Sequence, residues 1–172
     1  MSRIAQAEVK MLTNRSFAPL SIAATRPLAL TGVLAGLAGG LAEVVWIGLY
    51  SGASGTSGFD VARRVADTVF PGVLQMPAGP ALGLAIHFGL SAVLGLLLVR
   101  PLTSAILQRS GALLPICLGI LGLIWSVNFM LVLPILNPIF SALLPAWVTL
   151  TSKLLFGAAL AGVLGQRSAN AA

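Results

Sequence analysis

Four runs of about 20 apolar residues, each long enough for a helix to cross a bilayer, constrain this chain more than any other feature. They span 27–50, 81–99, 112–133 and 141–165, just over half of the 172 residues. None shows the apolar/polar alternation of a membrane barrel strand, so helices are the form that satisfies the backbone in lipid. Composition points the same way. Hydrophobic residues make up 58% and charged residues 8%, and the mean hydropathy is +1.01. A soluble domain carries about 25% charged residues. This chain cannot cover its own surface in water, which excludes a soluble enzyme, a disordered chain and a coiled coil. The expected fold is an all-α membrane protein. It is a single four-transmembrane-helix bundle over 27–165, with a cytoplasmic segment 1–26 before it and a cytoplasmic tail 166–172.

The charge balance is ten Lys and Arg against four Asp and Glu. With so much apolar bulk it reads as contact with a membrane surface and not with nucleic acid. Arg3, Lys10, Arg15, Arg26, Arg100, Arg109 and Arg167 fall on one side of the four spans. Arg63 and Arg64, offset by Asp60 and Asp67, fall on the other. The positive-inside rule then puts both termini in the cytoplasm. The first apolar run is longer than the usual 7–15-residue core of a signal peptide, and 26 residues precede it, so it reads as a span. Residues 1–26 are basic and poor in acid, which leaves a mitochondrial presequence open.

Residues 51–80 form the one long loop, on the outer side. Ser51 to Gly58 reads as a flexible Gly/Ser linker. Phe59 to Phe70 then reads as a short amphipathic interfacial helix, with Val61, Val65 and Val69 on one face. Asp60 with Arg64, and Arg63 with Asp67, are spaced to pair along it. Pro71-Gly72 ends it. Such a helix suits the headgroup region, with Phe59, Phe70 and the valines dipping in. It is either a lid on lipid or bundle, or a docking surface for a partner.

Small residues recur every four positions in three spans: Gly32, Gly36 and Gly40; Gly83, His87, Ser91 and Gly95; Thr149, Lys153, Gly157 and Ala161. Stripes of this kind let helices approach closely. They are expected to face one another within the bundle, or to pack against another subunit.

Ionisable groups inside a span are costly and face the protein interior. Glu43, His87 and Lys153 are of this kind, and Asn128 joins them. Counted from the outer ends of their spans, Glu43, His87 and Asn128 lie roughly 10 Å deep, and Lys153 about 18 Å from Ser141. Side chains lean toward the N-terminus of their own helix, so Glu43 and Lys153 lean toward each other, and an ion pair is expected. Four readings of this cluster stay open: a buried network that fixes helix register, contact with a partner subunit or its cofactor, a proton or cation pathway, and metal binding. One His, one Glu and one Asn are a poor ligand set for zinc. Haem would need a second axial ligand from elsewhere.

Trp46, Trp125 and Trp147 lie toward the outer ends of their spans, as interface aromatics do. Cys117 reads as a small apolar filler, and Asn137-Pro138 as the tight turn between the last two spans. No Walker A, dinucleotide-binding glycine pattern, H-E-x-x-H or nucleophile elbow is present, so no catalytic residue is expected.

The second half carries Trp125-Ser-Val-Asn128-Phe, Leu133-Pro-Ile-Leu-Asn-Pro138, Leu144-Pro145 and Ser152-Lys-Leu-Leu-Phe-Gly157. This string resembles small four-helix inner-membrane proteins of bacteria. The resemblance covers the last two spans and the neighbourhoods of Glu43 and His87. It implies the topology and a bacterial inner-membrane location, and transfers no activity. Two functions fit. One is a non-catalytic accessory subunit of a larger membrane complex, of respiratory or electron-transfer kind. Its partners would be other integral subunits and lipid, and its cluster would meet a partner's haem or quinone while the chain itself binds no cofactor. The other is a small proton- or cation-coupled transporter, a homo-oligomer working through the buried Glu/His/Lys layer.

Overall fold

The computed structural model describes residues 22–103 and 111–170, which are all-helical apart from turns. In chain order, α1 is Ile22–Ser54 and α2 is Gly58–Val69. A single 3₁₀ turn, Val73–Gln75, leads into α3, Gly79–Leu102. Helix α4 runs Leu113–Leu136, α5 is the short Pro138–Leu143, and α6 is Ala146–Asn170. By length and composition α1, α3, α4 and α6 can each cross a membrane. Arg3, Lys10, Arg15 and Arg109, which fix the expected orientation, lie outside the described residues.

The fourth span differs from expectation. It begins at Ala146, not Ser141, and Pro145 precedes it. The residue before a proline is pushed out of the helical region, and Leu144 is extended at φ −121°, ψ 142°. The chain between the spans is therefore the separate helix α5, capped by Asn137, in place of a tight turn. The new helix takes its first bonds from the Pro145 carbonyl, which accepts the N–H groups of Val148 and Thr149. It runs through the expected tail as far as Asn170.

Three other boundaries move. Ser51–Ser54 belong to α1, so only residues 55–57 of the expected linker are non-helical. Helix α3 runs past Arg100-Pro101 to Leu102, whose side chain is buried in the core. Helix α4 does not stop at Pro134. Pro134 has no N–H, and its ring crowds the carbonyl four residues back. The helix widens to a π turn over Asn128–Val132, and the Leu133 N–H donates to the Asn128 carbonyl.

The four long helices pack in the order α3, α1, α6, α4, and α3 and α4 share a core at one end with little close backbone approach between them. Helix α1 meets α3 where Gly32 and Gly36 face Ser91 and Gly95. A Cβ at Gly36 would overlap the Ser91 carbonyl oxygen, and one at Gly95 the Gly32 carbonyl oxygen. At Gly40 a Cβ would lie 2.6 Å from Ser91 Oγ. The other small residues face different partners from those expected. Gly83 lies under α2, against the Ala62 carbonyl, and Gly157 packs on Cys117 of α4. The stripes of α3 and α6 thus pack chiefly on other helices, with α1 between them along most of their length.

One end of the bundle is filled by a compact core. Ala35, Val99, Leu121, Phe156, Leu160 and Leu164 are among its members, and Cys117 sits fully buried there. Arg167 of α6 donates to Thr31 of α1 at that end. At the other end the helices splay, and α2 covers the space between them.

Candidate functional site

Helix α2 forms because Ser57 accepts the Asp60 N–H on its side chain at 3.2 Å, an N-cap. It is bracketed by Gly55 and Gly72 at φ +76° and +96°, a region where a side chain would be strained. The Gly72 N–H donates to Asp67 Oδ1. The expected ion pairs change partners: Arg63 pairs with Asp60 at 3.1 Å, and Arg64 faces Asp67 at 3.8 Å. The buried face is Val61, Ala62 and Ala66, with Val65 half-buried. Phe59, Val69 and Phe70 are exposed, although Phe59 and Val69 also line the space beneath the helix. Val61, Val65 and Val69 all line the space beneath the helix, as their spacing predicts, and Ala62 beside them allows the close approach to Gly83.

Asn137 fixes the far side of α2. It accepts the Phe140 N–H on Oδ1 at 3.0 Å and donates from Nδ2 to Thr68 Oγ1 at 3.1 Å. The buried amide therefore caps α5 and ties it to α2 at once. Asn137→Ala is expected to cost about 1–2 kcal/mol through the cap alone and to release α2. Amide hydrogen exchange reads this as faster exchange over 58–69 with α1 unchanged, and equal exchange in both proteins would contradict the tie.

Beneath α2 lies a cavity of about 640 Å³, within the ordinary range for small-molecule sites. Its walls come from α1, α2, α3, α4, α5 and α6. Most of the lining is apolar, with Leu84 and Leu90 from α3 and Phe129 from α4 among it. Glu43, His87, Asn128, Ser152 and Lys153 all reach it.

Glu43 is the centre of the polar group and is buried. Lys153 Nζ stands 2.7 Å from Oε1 and donates to Oε2 at 3.0 Å. Ser152 Oγ donates to Oε1 at 3.0 Å. His87 Nε2 is 3.8 Å from Oε2 and 3.1 Å from the Gly40 carbonyl oxygen. A carbonyl only accepts, so this nitrogen carries the proton. Lys153 also lies 5.7 Å over the Phe156 ring, which divides cavity from core. Lys153 is not deeper than its partners. Counted from Ala146 it is seven residues in, roughly 10 Å at the helical rise, the same layer as the other three. Asn128 lies on the cavity wall in the π turn, and among the described residues its side chain makes no hydrogen bond.

Sequence reasoning did not reach the contacts of Ser152, nor the role of Trp125. Trp125 is buried, and its indole N–H donates to Thr149 Oγ1 at 3.0 Å, so it braces α4 against α6 and is no interface aromatic. Trp46 makes the equivalent tie between α1 and α6, donating to the Val148 carbonyl at 2.9 Å. Trp147 is exposed beside it. The available signal was spacing: Thr149 and Ser152 flank Lys153 on one helix face. Among the described residues no three His, Cys, Asp or Glu come together as metal ligands.

No protein family, curated protein sequence or solved structure matches this chain. The likeness carried by the string from Trp125 to Gly157 therefore remains one of sequence pattern, and function rests on the site itself.

Proposed function

We propose that this chain is a small integral membrane carrier in which Glu43, His87 and Lys153 form a proton-exchanging site. In this reading α1, α3, α4 and α6 span a bacterial inner membrane with both termini cytoplasmic. Helix α2 lies at the opposite interface with Phe59 and Phe70 toward lipid. One observation carries it: a buried carboxylate has an ammonium at 2.7 Å and an imidazole at 3.8 Å at the wall of a cavity. Ionisable groups at such depth are costly and mark ion or proton paths. A pair that only fixed register would need no adjoining space. Histidine is the usual shuttle between such groups. The accessory-subunit reading draws less support, because the small residues of α1, α3 and α6 that motivated it are engaged within the chain.

The test is proton movement in proteoliposomes carrying an internal pH dye, driven by an imposed potassium diffusion potential. The wild type is expected to move protons and folded Glu43→Gln to lose that movement. Equal rates would contradict the reading.

A further inference from the structure

We infer that the cavity takes up, from the bilayer, a single-chain amphiphile with a carboxylate head, and that this head binds at Lys153 and His87. The inference rests on the carrier reading for its biological setting, and on three features of the site for its chemistry.

The first is access. Helices α3 and α4 both line the cavity with little close backbone approach between them, so its apolar wall can continue into their outward faces. Leu90 is 61% exposed and still lines the cavity. A hydrocarbon chain entering between α3 and α4 stays in apolar surroundings throughout. Helix α2, held by Gly83 on one side and Asn137 on the other, covers the remaining end.

The second is the sign of the charge on offer. Glu43 is enclosed by its partners, with 4% of its side chain exposed, whereas Lys153 and His87 keep 20% and 22%. The groups left accessible are an ammonium with three donors, two of them directed at Glu43, and an imidazole. The ammonium suits an anionic acceptor and disfavours a cationic head, and the imidazole joins it as a donor once its second nitrogen is protonated, because Nε2 already faces the Gly40 carbonyl. Two such groups match the two oxygens of one carboxylate. Phosphate recognition draws instead on the bidentate fork of Arg, and Arg63 and Arg64 are paired on α2 and do not line the cavity.

The third is charge balance. With His87 neutral, Glu43 and Lys153 cancel. A bound carboxylate adds one negative charge in an apolar site, where net charge is costly. Protonation of His87 on its second nitrogen restores neutrality. The groups facing that ring are Glu43 from α1 and Lys153 from α6. From α4 comes only the uncharged Asn128, and the four charged residues of α2 are outside the cavity. Binding of the acid is thus coupled to uptake of one proton from water.

The experiment titrates the full chain, in a neutral maltoside detergent, with the fluorescent C18 polyene parinaric acid. Competitors are oleate, oleyl alcohol, a lysophosphatidate and an alkyltrimethylammonium. Oleate is expected to displace the probe at least about tenfold better than the other three, the loss that goes with one charge-assisted hydrogen bond. Binding in weak buffer is expected to take up about one proton per acid. Leu84→Trp, which fills the cavity and leaves the ion pair in place, is expected to abolish binding. Glu43→Gln combined with Lys153→Met, which keeps the site neutral, is expected to lose selectivity for the acid. Equal competition by the alcohol or the ammonium, preference for the phosphate head, or unchanged binding in both variants would overturn the inference. The flux assay is independent of this one. Selective acid binding with no proton flux would uphold the ligand class and sink the carrier reading. Flux without selective binding would do the reverse.

Discussion

Replacing Lys153 by methionine is expected to destabilise the protein by about 3 kcal/mol, and replacing Glu43 by glutamine in the same background to restore most of that loss. Removing one partner of a buried pair leaves the other charge uncompensated, which costs more than removing both. The geometry makes the case a strong one. Glu43 is 3% exposed, and its ammonium partner supplies contacts to both carboxylate oxygens. What remains after the lysine is gone is one hydroxyl donor from Ser152 and an imidazole at 3.8 Å, too far for a hydrogen bond. Thermal unfolding in detergent reads the effect. About 3 kcal/mol corresponds to a drop in Tm of roughly 6–12 °C for a chain of this size. The double variant should recover to within a few degrees of wild type. If the single and double variants unfold at the same temperature, the two residues are not coupled and the pair is not formed.

Gly36→Leu is expected to be at least as damaging, for a reason of shape alone. The backbones of α1 and α3 are in contact there, and even a Cβ would overlap the Ser91 carbonyl oxygen. A carbonyl in a helix cannot swing aside as a flexible side chain can, so the helices must separate along the seam. Overpacking typically costs about 1–3 kcal/mol, and a backbone obstacle places this variant at the upper end. Separation would also displace the Gly40 carbonyl from His87 and so disturb the polar site. Gly89→Leu on α3 is the matched control, since a Cβ there meets nothing within 4 Å. Size-exclusion profiles and Tm in one detergent compare the two. A Gly36→Leu protein as stable as Gly89→Leu would show that the seam does not hold the bundle.

The four long apolar helices were legible because an apolar run of that length with at most one charge in it has few other uses. The Glu43–Lys153 pair was legible too, because two opposite charges buried in facing helices have few other partners. The error in depth came from one proline. Pro145 fits the first turn of a helix as well as it fits the end of a connection, and nothing near Ser141 distinguishes the two. The structure decides through Leu144, which Pro145 holds in an extended conformation. The partners of the small-residue stripes were not legible. A glycine at four-residue spacing reports that something approaches closely, not what. Gly83 turned out to receive α2 and Gly157 to receive α4. The cavity was hidden for a related reason: it lies where α3 and α4 approach each other little, and the packing order of helices is not written in any one of them. The re-pairing of Arg63 and Arg64 by three-residue spacing lies within what surface charges on one helix tolerate.

The most direct test of the account uses the variant that carries Glu43→Gln and Lys153→Met together. It removes two of the three groups of the proposed proton-exchanging site and leaves no buried charge unpaired, so it separates the site's chemistry from its structural share. Proton flux in proteoliposomes is the measurement, with Tm taken on the same preparation. The account predicts a folded protein, with a Tm close to wild type, that no longer moves protons. A folded double variant that moves protons at the wild-type rate would contradict it, and would leave Glu43 and Lys153 as a structural pair.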